Sequence, residues 1–349
     1  HQGAQWVWMA LIGLGLGFTL SFSRFGIVFG WRELLARRNS YYVRIHLLTI
    51  AIELLLFTTA LSFGHSLFDE PMVGNIVPIG IPFVGGAFLF GIGMQLAGVC
   101  ATGTLYRCGE GQPRFWLVLL CYCIGTLIGG SLKPWMASHF VSNPILFKQL
   151  TGGLWSGMLL NFALIALLYF IFRQVELRRH GTLQPLWGQG NPFWRDGRFT
   201  VLTGGIIIAL LNSSVVALHG SAWTITGALY DLSLRAGSLF GLFASNPKLA
   251  QPLLANPMIG MFVLGVLGAA LAHCLSGAPK AGPTHNGAIL AGMLGGILMG
   301  IGAMYSLCNL GGYFDGTASG SLHGWLWMLM ALAGSLIGLR LRPRFGLSV

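Results

Sequence analysis

The chain has 349 residues, of which 54% are hydrophobic and only 8% are charged, and its mean hydropathy is +0.73. Soluble domains carry about 25% charged residues, so this composition excludes a soluble globular protein and predicts an all-α integral membrane protein in contact with a lipid bilayer. The net charge of +11 does not indicate nucleic-acid binding, because the arginines stand in short clusters between apolar segments, as they do in membrane-protein loops.

Nine segments of the chain are candidate membrane-spanning helices, each of which needs about 20 mostly apolar residues. We predict spans near 4–22, 43–63, 77–98, 115–132, 154–172, 200–218, 257–275, 286–304 and 322–339. The longest polar connection, 173–199, is predicted to be a loop between two halves, residues 1–150 and 200–349. The whole chain, 1–349, is expected to form a single membrane transport domain.

Arginine-rich loops alternate with arginine-poor loops along the chain. Arg32, Arg37, Arg38 and Arg44 follow the first span, whereas the next loop, HSLFDEP, is acidic. Further arginines follow the third, fifth and last spans, at positions 107, 114, 173, 178, 179, 340, 342 and 344. Because basic loops stay in the cytoplasm, we predict a multi-pass protein of the bacterial inner membrane with a periplasmic N-terminus, a cytoplasmic C-terminus and a cytoplasmic 173–199 loop.

Two passages interrupt apolar segments with glycines and a cysteine. GIGMQLAGVCATGTLYRCGEGQ begins at Gly91 and contains Cys100, and GIGAMYSLCNLGGYFDG begins at Gly300 and contains Cys308. The predicted second half enters the membrane from the opposite face to the first. The passages therefore predict two inverted, pseudo-symmetric repeats with re-entrant or half helices that meet near the midplane. SFSRFGIVFGWREL and HGSAWTITGALYDL, after the first and sixth spans, form a weaker matching pair.

The residue types at these breaks favour an anionic cargo. Gly98 and Gly103 flank Cys100, and Gly311 follows Cys308, so that each segment can unwind. A half-helix that starts at such a break points its N-terminal amides, which carry a partial positive charge, toward the pathway. A thiol is a soft and weak donor, and we therefore expect the two cysteines to contact a polarizable sulfur-containing anion.

Further polar residues in or beside the spans are candidates for the pathway. Gln95 lies one helical turn before the break and can donate to an anion or bridge two helices, and Asn309 directly follows the second cysteine. Glu53 lies inside the second span, where a carboxylate costs roughly 2.5–3.5 kcal/mol on insertion scales, and Arg24 is its candidate partner. A structural ion pair and a proton-coupling site are the two alternatives for Glu53.

The remaining cysteines, at positions 108, 121, 123 and 274, carry no signature of a metal or redox centre. No CxxC stands with a partner pair, so neither a zinc site nor a disulfide framework is indicated, and we expect no metal and no cofactor. Cys121, Cys123 and Cys274 are interpreted as small apolar core residues. No nucleotide-binding motif is present in the sequence, which argues against direct ATP drive.

Three passages carry a resemblance to a known family. They are GIGMQLAGVCATGTLYRCGEG, LGGILMGIGAMYSLCNLGG and GSLHGWLWMLMALAGSLIGLRLRPRFGL, and with them most of the chain resembles the YeeE/YedE family of sulfur-compound transporters. The resemblance implies an hourglass of two inverted helical halves, in which cysteines at the pinch pass thiosulfate along by S–H···S contacts. Those roles fall on Cys100 and Cys308. Thiosulfate importers of the family carry a further cysteine in an RFC motif, where this chain reads SRFGIVFG with Gly26.

The pattern and the resemblance together predict a transporter, and not an enzyme, that takes up thiosulfate or a related inorganic sulfur anion. Because Gly26 replaces the family cysteine, either two thiols suffice or the cargo is another sulfur or a selenium species. A membrane thiol enzyme (a sulfurtransferase or oxidoreductase) and a passive channel for a neutral solute are the alternatives, and the missing CxxC argues against the enzyme. The family association suggests a small cytoplasmic sulfurtransferase-like partner that consumes the cargo.

Overall fold

A computed structural model describes residues 2–140, 143–187, 191, 193–244, 246–253, 256–277 and 284–348. The first half contains the helices Gln2–Ser23 (α1), Ile27–Arg37 (α2), Tyr41–Phe63 (α3), Ile81–Ala97 (α4), Ala101–Gly109 (α5) and Pro113–His139 (α6). Phe147–Thr151 (α7) and Leu154–His180 (α8) follow. One short hairpin, Trp194–Arg195 (β1) paired antiparallel with Arg198–Phe199 (β2), is the only sheet within the described residues.

The second half is also helical. Its helices are Val201–His219 (α9), Ile225–Ser238 (α10), Pro257–Leu275 (α11), Asn286–Ser306 (α12), Gly316–Ala318 (α13) and Leu322–Leu341 (α14). A π-helix, Asn309–Asp315, stands between α12 and α13, and two short 3-10 turns cover Pro247–Ala250 and Arg342–Phe345. The predicted all-α class is confirmed.

Within the described residues, nine helical segments are long and apolar enough to cross a membrane, and each predicted span overlaps one of them. They are Gly3–Arg37, Tyr41–Phe63, Ile81–Gly109, Pro113–His139, Leu154–His180, Val201–His219, Pro257–Leu275, Asn286–Ser306 and Leu322–Phe345. The first and third are not continuous, since α1 breaks before α2 and α4 breaks before α5. The predicted number of spans is confirmed, and the protein is a multi-pass membrane protein.

Two predicted boundaries need correction. Residues 77–80 are not helical, and α4 begins at Ile81. The predicted loop 173–199 is partly helical, because α8 continues to His180. Long charged side chains are good helix formers, and Glu176 is buried on α8 in an ion pair with Arg44 at 3.3 Å, so this polar turn extends the helix.

The helices that lead into the two cysteine passages run antiparallel. A Cβ on Gly86 of α4 would meet Gly302 of α12, and a Cβ on Gly93 would meet Gly295. α1 and α9 are also antiparallel, since Gly15 faces Leu211 while Gly204 faces Ser23. α4 ends at Ala97, beside Gly295 in the middle of α12, so the break that follows lies inside the helical bundle.

Candidate functional site

The first break lies between α1 and α2. After Ser23 the chain passes through Arg24, which has a left-handed φ of 56°, and the extended Gly26 then leads into α2. A Cβ added to Gly26 would lie 3.4 Å from the hydroxyl oxygen of Tyr106, which is an ordinary van der Waals contact. The space beside this glycine is therefore not filled by neighbouring backbone.

The second break, between α4 and α5, holds Cys100. Gly98 ends α4 in the left-handed conformation that favours glycine, with a φ of 77°, and its N–H donates to the carbonyl oxygen of Met94. Cys100 is the N-cap of α5, and its Sγ accepts a hydrogen bond from the Gly103 N–H at 3.4 Å and lies 3.2 Å from the Thr102 hydroxyl oxygen. The thiol and the N-terminal amides of α5 are therefore directed at the same place.

A cavity of about 330 Å³ opens between these two breaks. Three arginines and Cys100 stand in its wall, and we call it the arginine cavity. Its lining residues are Arg24, Gly26, Ile27, Val28, Phe29, Arg32, Tyr42, Gly98, Val99, Cys100, Gly103, Tyr106 and Arg107. Guanidinium groups of one sign in a concave site raise the local concentration of anions.

The buried carboxylate of Glu110 holds two of these arginines in place. It accepts hydrogen bonds from Arg24 and from Arg107, each at 3.0 Å, and a further one from Ser21 at 2.8 Å. The predicted pairing of Arg24 with Glu53 is therefore wrong. Glu110 follows α5 at the end of the molecule where α1 ends, and a buried carboxylate between two guanidinium groups makes stronger, charge-assisted hydrogen bonds.

Arg32 is the third arginine of the cavity, and the sequence reasoning used it only to orient the chain. Among the described residues it has no ion-pair partner, and its Nε is buried without a hydrogen bond. Arg32 stands one helical turn after Val28, which lines the same cavity. Residues spaced i, i+4 lie on one face of a helix, so this spacing could have placed Arg32 beside the pathway. Nearby in β2, burial and the positive charge of Arg24 lower the pKa of Arg198 from its usual value.

A much narrower gap continues from the arginine cavity into the interior, and we call it the constriction. Its volume is about 10 Å³, which is room for about one water molecule. It shares Gly26 and Ile27 with the arginine cavity and is otherwise lined by Leu16, Leu20, Phe25, Thr102, Ile208, Trp223, Asn309, Leu310 and Phe314. Both halves of the chain contribute to these mostly apolar walls, and the side-chain oxygen of Asn309 is buried there without a hydrogen-bond partner.

The break after α12 holds Cys308. Leu307 adopts a left-handed φ of 63°, and the extended Cys308 then leads into the π-helix. Cys308 is buried and lies within electrostatic range of Cys100, and Tyr122 of α6 lies within range of both thiols. Tyr122, whose hydroxyl is 2.8 Å from that of Thr226, therefore lies near the cysteines of both passages.

The predicted pathway residues do not all line these spaces. Six of them line the arginine cavity or the constriction: Arg24, Gly26, Gly98, Cys100, Gly103 and Asn309. Cys308, Gln95 and Gly311 line neither, although Asn309, directly after Cys308, lines the constriction. The Gln95 side chain donates to the Val28 carbonyl oxygen at 3.5 Å and so bridges two helices, and the Gly311 carbonyl oxygen accepts a hydrogen bond from Asn75 at 2.8 Å.

A second polar cavity, of about 290 Å³, lies between the C-terminal end of α9 and the N-terminal end of α11, and we call it the α9 cavity. His219, Arg235 and Lys248 bring basic groups to its wall, and Lys248 pairs with Asp231 at 3.1 Å. The arginine cavity lies at the C-terminal end of α1. Because α1 and α9 are antiparallel, the two cavities lie at opposite ends of the molecule.

Comparison with known proteins assigns the family. A family model described as sulphur transport matches residues 22–337, a range that includes both cysteine passages and all the breaks described above. The chain belongs to the sulphur-transport family. Membership in this family assigns the protein to membrane transport and not to catalysis, which sets aside the alternative of a membrane thiol enzyme.

Relatives of this sulphur-transport protein match nearly its full length. A protein of Spirochaeta thermophila named "Thiosulfate transporter TsuA" is 28% identical, with 94% of this chain and 97% of the relative covered. The Escherichia coli protein of the same name is 25% identical over 93% of this chain and 91% of the relative. "Probable transporter YedE" of Escherichia coli is 27% identical over 47% of this chain and 43% of that protein. The predicted resemblance to the YeeE/YedE family is confirmed.

Away from both cavities, this sulphur-transport protein buries a second set of polar side chains around Glu53. Only Glu53 was predicted as a functional candidate. Glu53 accepts a hydrogen bond from Asn212 at 3.2 Å, and the same amide donates to Asp315 at 2.6 Å. The prediction from sequence did not include Asp315, which lies in the YFDG segment that ends the second passage. Asp315 is an acidic residue within an otherwise apolar passage, and this could have marked it as a functional candidate.

The thiols and carboxylates do not form a recognisable metal centre. Among the residues that the structure describes, no group of three or more His, Cys, Asp or Glu side chains is arranged to hold a metal ion. All six cysteines are free thiols, so Cys100 and Cys308 are present in the form that can donate S–H hydrogen bonds.

Proposed function

We propose that this chain imports thiosulfate, or a closely related inorganic sulfur anion, across the bacterial inner membrane into the cytoplasm. The observation that carries the proposal is the arginine cavity, where three arginines surround a space that ends at Cys100 and the constriction. The names of the two full-length relatives agree with a thiosulfate cargo.

The proposed route joins the two polar cavities through the bundle. The anion enters at the α9 cavity, where Arg235 and Lys248 attract it, reaches Cys308, passes the constriction to Cys100, and leaves through the arginine cavity. Two inverted repeats around an hourglass-like pathway account for this arrangement. Their support is that α1, α4, α9 and α12 each end at a break, and that α1 and α4 run antiparallel to α9 and α12.

Thiols suit the narrow part of such a route. The S–H groups of Cys100 and Cys308 donate weak hydrogen bonds to the terminal sulfur or the oxygens of the anion, and no bond to sulfur forms or breaks. Conduction requires sites that bind an ion well enough for it to enter and weakly enough for it to leave. A neutral thiol meets this requirement on either side of the constriction, while the full positive charges stay in the wider cavities.

Uptake of a divalent anion into a negatively charged cell needs a driving force. Each charge that crosses 100 mV is worth about 2.3 kcal/mol, so a dianion meets a barrier of roughly 4.6 kcal/mol at that potential. A small cytoplasmic sulfurtransferase-like partner that consumes the anion supplies one such force. The basic segment Arg32–Arg38, beside the arginine cavity, is the surface we assign to that partner.

Growth on thiosulfate tests the proposed function. A cysteine-requiring bacterium that lacks its own sulfate and thiosulfate importers should grow on thiosulfate as sole sulfur source when it expresses this chain. Growth is then measured with excess sulfite, sulfate or selenium anions in the medium. The degree of inhibition ranks the competing cargoes, and inhibition by anions distinguishes an anion transporter from a passive channel for neutral solutes. Absence of growth, with the protein present in the membrane at normal levels, contradicts the proposal.

The proposed orientation leads to a topology prediction. A fluorescent protein fused to the C-terminus after α14 should fluoresce and alkaline phosphatase fused there should be inactive, because the basic residues Arg340–Arg344 keep this end in the cytoplasm. Fusions directly after α3, at Gly64, should show the reverse pattern and serve as the matched control. Active phosphatase at the C-terminus would show that the protein has the opposite orientation in the membrane.

Gly26 allows a test of the thiol route at the position where the family cysteine is missing. We expect Gly26→Cys to insert normally, because the extended backbone suits any residue and an added Cβ makes only a 3.4 Å contact. One more hydrogen bond to the anion, worth about 0.5–1.5 kcal/mol, should raise thiosulfate uptake by roughly two- to tenfold.

Uptake of radiolabelled thiosulfate at matched membrane levels measures the effect, with Gly26→Ala as the control for added volume. Both Gly26 variants should insert, and only the cysteine variant should gain activity. Loss of uptake in both would show that any side chain blocks the junction of the arginine cavity and the constriction, and it would defeat the thiol argument at this site.

A further inference from the structure

A buried pair of carboxyl groups links the two halves of the protein beside the constriction. Glu53 comes from α3 and Asp315 from the end of the π-helix, and Asn212 of α9 donates to both of them, at 3.2 Å and 2.6 Å. All three side chains are fully buried, with no solvent exposure. We refer to these three residues as the carboxyl cluster.

The carboxyl cluster has no positive partner. The other buried acids have one: Glu110 pairs with Arg24 and Arg107, and Glu176 pairs with Arg44. Within the described residues no arginine, lysine or histidine forms an ion pair with Glu53 or Asp315. Two adjacent carboxylates repel each other strongly in a low-dielectric interior, so at rest at least one of them holds a proton.

Three oxygen atoms of the carboxyl cluster remain without a hydrogen-bond partner. They are Oε2 of Glu53, Oδ2 of Asp315 and the side-chain oxygen of Asn212, and each is buried. Unsatisfied buried acceptors are rare, and here they converge from three different elements. A proton on Glu53 or Asp315 would turn one of these oxygens into a donor that another of them can accept from.

The carboxyl cluster is connected to the proposed route. Asp315 lies within electrostatic range of Cys308, at the far end of the same π-helix, and the preceding residue, Phe314, lines the constriction. His46 stands two turns before Glu53 on α3. Its ring lies against Phe314, with ring centroids 5.9 Å apart, and both ring nitrogens are buried without a partner. An unpartnered imidazole thus lies against the aromatic wall of the constriction, on the helix that carries Glu53.

The other titratable groups around the carboxyl cluster are few. On the elements packed against it they are Tyr41, Tyr42 and His46 of α3, His219 at the end of α9, Cys308 and Tyr313 of the π-helix, and His323 and Arg340 of α14. The Nδ1 of His323 is 2.8 Å from the Ser321 hydroxyl. The charged residues at the far end of α3 and on its neighbours α2 and α8 include two ion pairs, Arg44 with Glu176 and Arg37 with Glu33.

We propose that the carboxyl cluster binds a proton that is taken up from one side of the membrane and released to the other in each transport cycle, so that entry of the anion is coupled to entry of protons. The inference rests on the proposed function. When the proton leaves, two carboxylates face each other across α3 and the π-helix, and their repulsion shifts the π-helix that carries Phe314 at the constriction. A proton that travels with a dianion also halves the net negative charge that enters.

Proteoliposomes with a trapped pH-sensitive dye test the coupling. With the membrane potential clamped by valinomycin and potassium, addition of external thiosulfate should acidify the lumen of vesicles that contain the natural protein. In Glu53→Gln and Asp315→Asn this acidification should fall by roughly tenfold or more, because an amide binds no proton in this pH range. Exchange of labelled for unlabelled thiosulfate across the membrane should continue in both variants, since exchange needs no net proton movement.

Glu176→Gln is the matched control, because Glu176 is also a buried helix carboxylate but pairs with Arg44, and it should acidify the lumen as the natural protein does. Thiosulfate uptake without acidification, or uptake that requires sodium at constant pH, would overturn the coupling and leave the proposed function intact. Loss of both exchange and acidification in the two folded variants would assign the cluster to packing and also overturn it. Failure of the natural protein to take up thiosulfate at all would instead count against the proposed function.

Discussion

Cys100→Ala and Cys308→Ala should each reduce thiosulfate uptake by roughly tenfold or more, as loss of a hydrogen bond of about 1.5 kcal/mol at a narrow site predicts. Both proteins should still insert at normal levels, because alanine keeps the extended backbone at each break. In Cys100→Ala the loss from the fold is limited to the 3.4 Å contact with the Gly103 N–H and the 3.2 Å contact with Thr102. Uptake of radiolabelled thiosulfate by intact cells measures the effect.

Two other cysteines serve as controls for the loss of a thiol. Cys121 is buried within α6, and Cys274 is exposed near the end of α11, and neither stands at a break. Their alanine variants should transport at nearly the natural rate, since a small apolar residue replaces another. Full uptake by Cys100→Ala would remove the thiol from the mechanism.

Gly86→Val should prevent stable folding, whereas Gly85→Val, one residue earlier in the same helix, should be tolerated. A Cβ on Gly86 would lie 2.7 Å from the Gly302 carbonyl oxygen and 3.0 Å from the Tyr305 Cβ, so α4 and α12 could not keep their contact. A Cβ on Gly85 would meet nothing within 4 Å. Overpacking costs about 1–3 kcal/mol in cores where side chains can adjust, and here the obstacle is backbone.

Thermal unfolding of the detergent-solubilised proteins, followed by size-exclusion chromatography, measures this difference. Valine at either position has the same intrinsic effect on the helix, so the comparison isolates the contact between α4 and α12. Similar melting temperatures for the two variants would contradict the antiparallel packing of these helices.

The membrane spans and the break at Cys100 could be predicted because their signals are local. Runs of about 20 apolar residues mark spans, and Gly98 marks a position where the chain can turn left-handed. The break after α12 is different. Its left-handed residue is Leu307, with a φ of 63°, and leucine gives no sign of such a conformation in a sequence. The break after α1 is equally hard to predict, because its left-handed residue is Arg24, with a φ of 56°.

The polar pairings could not be predicted, because they join residues far apart in the chain. Arg24 was assigned to Glu53 as an arginine near an intramembrane acid, but it binds Glu110, 86 positions away. The real neighbours of Glu53 are Asn212 and Asp315, from the other half of the chain. Tertiary packing decides which polar groups meet in a bundle, and residue type alone does not.

Uptake of radiolabelled thiosulfate by the purified protein in proteoliposomes is the most direct test of a thiosulfate importer with one thiol on either side of the constriction. Vesicles with the natural protein should accumulate label faster than vesicles with a Cys100→Ala, Cys308→Ala double variant by roughly tenfold or more, with unlabelled thiosulfate competing and sulfate competing less. Equal uptake by the two proteins would contradict the role of the thiols. Uptake by the natural protein no faster than by empty vesicles would contradict thiosulfate import itself.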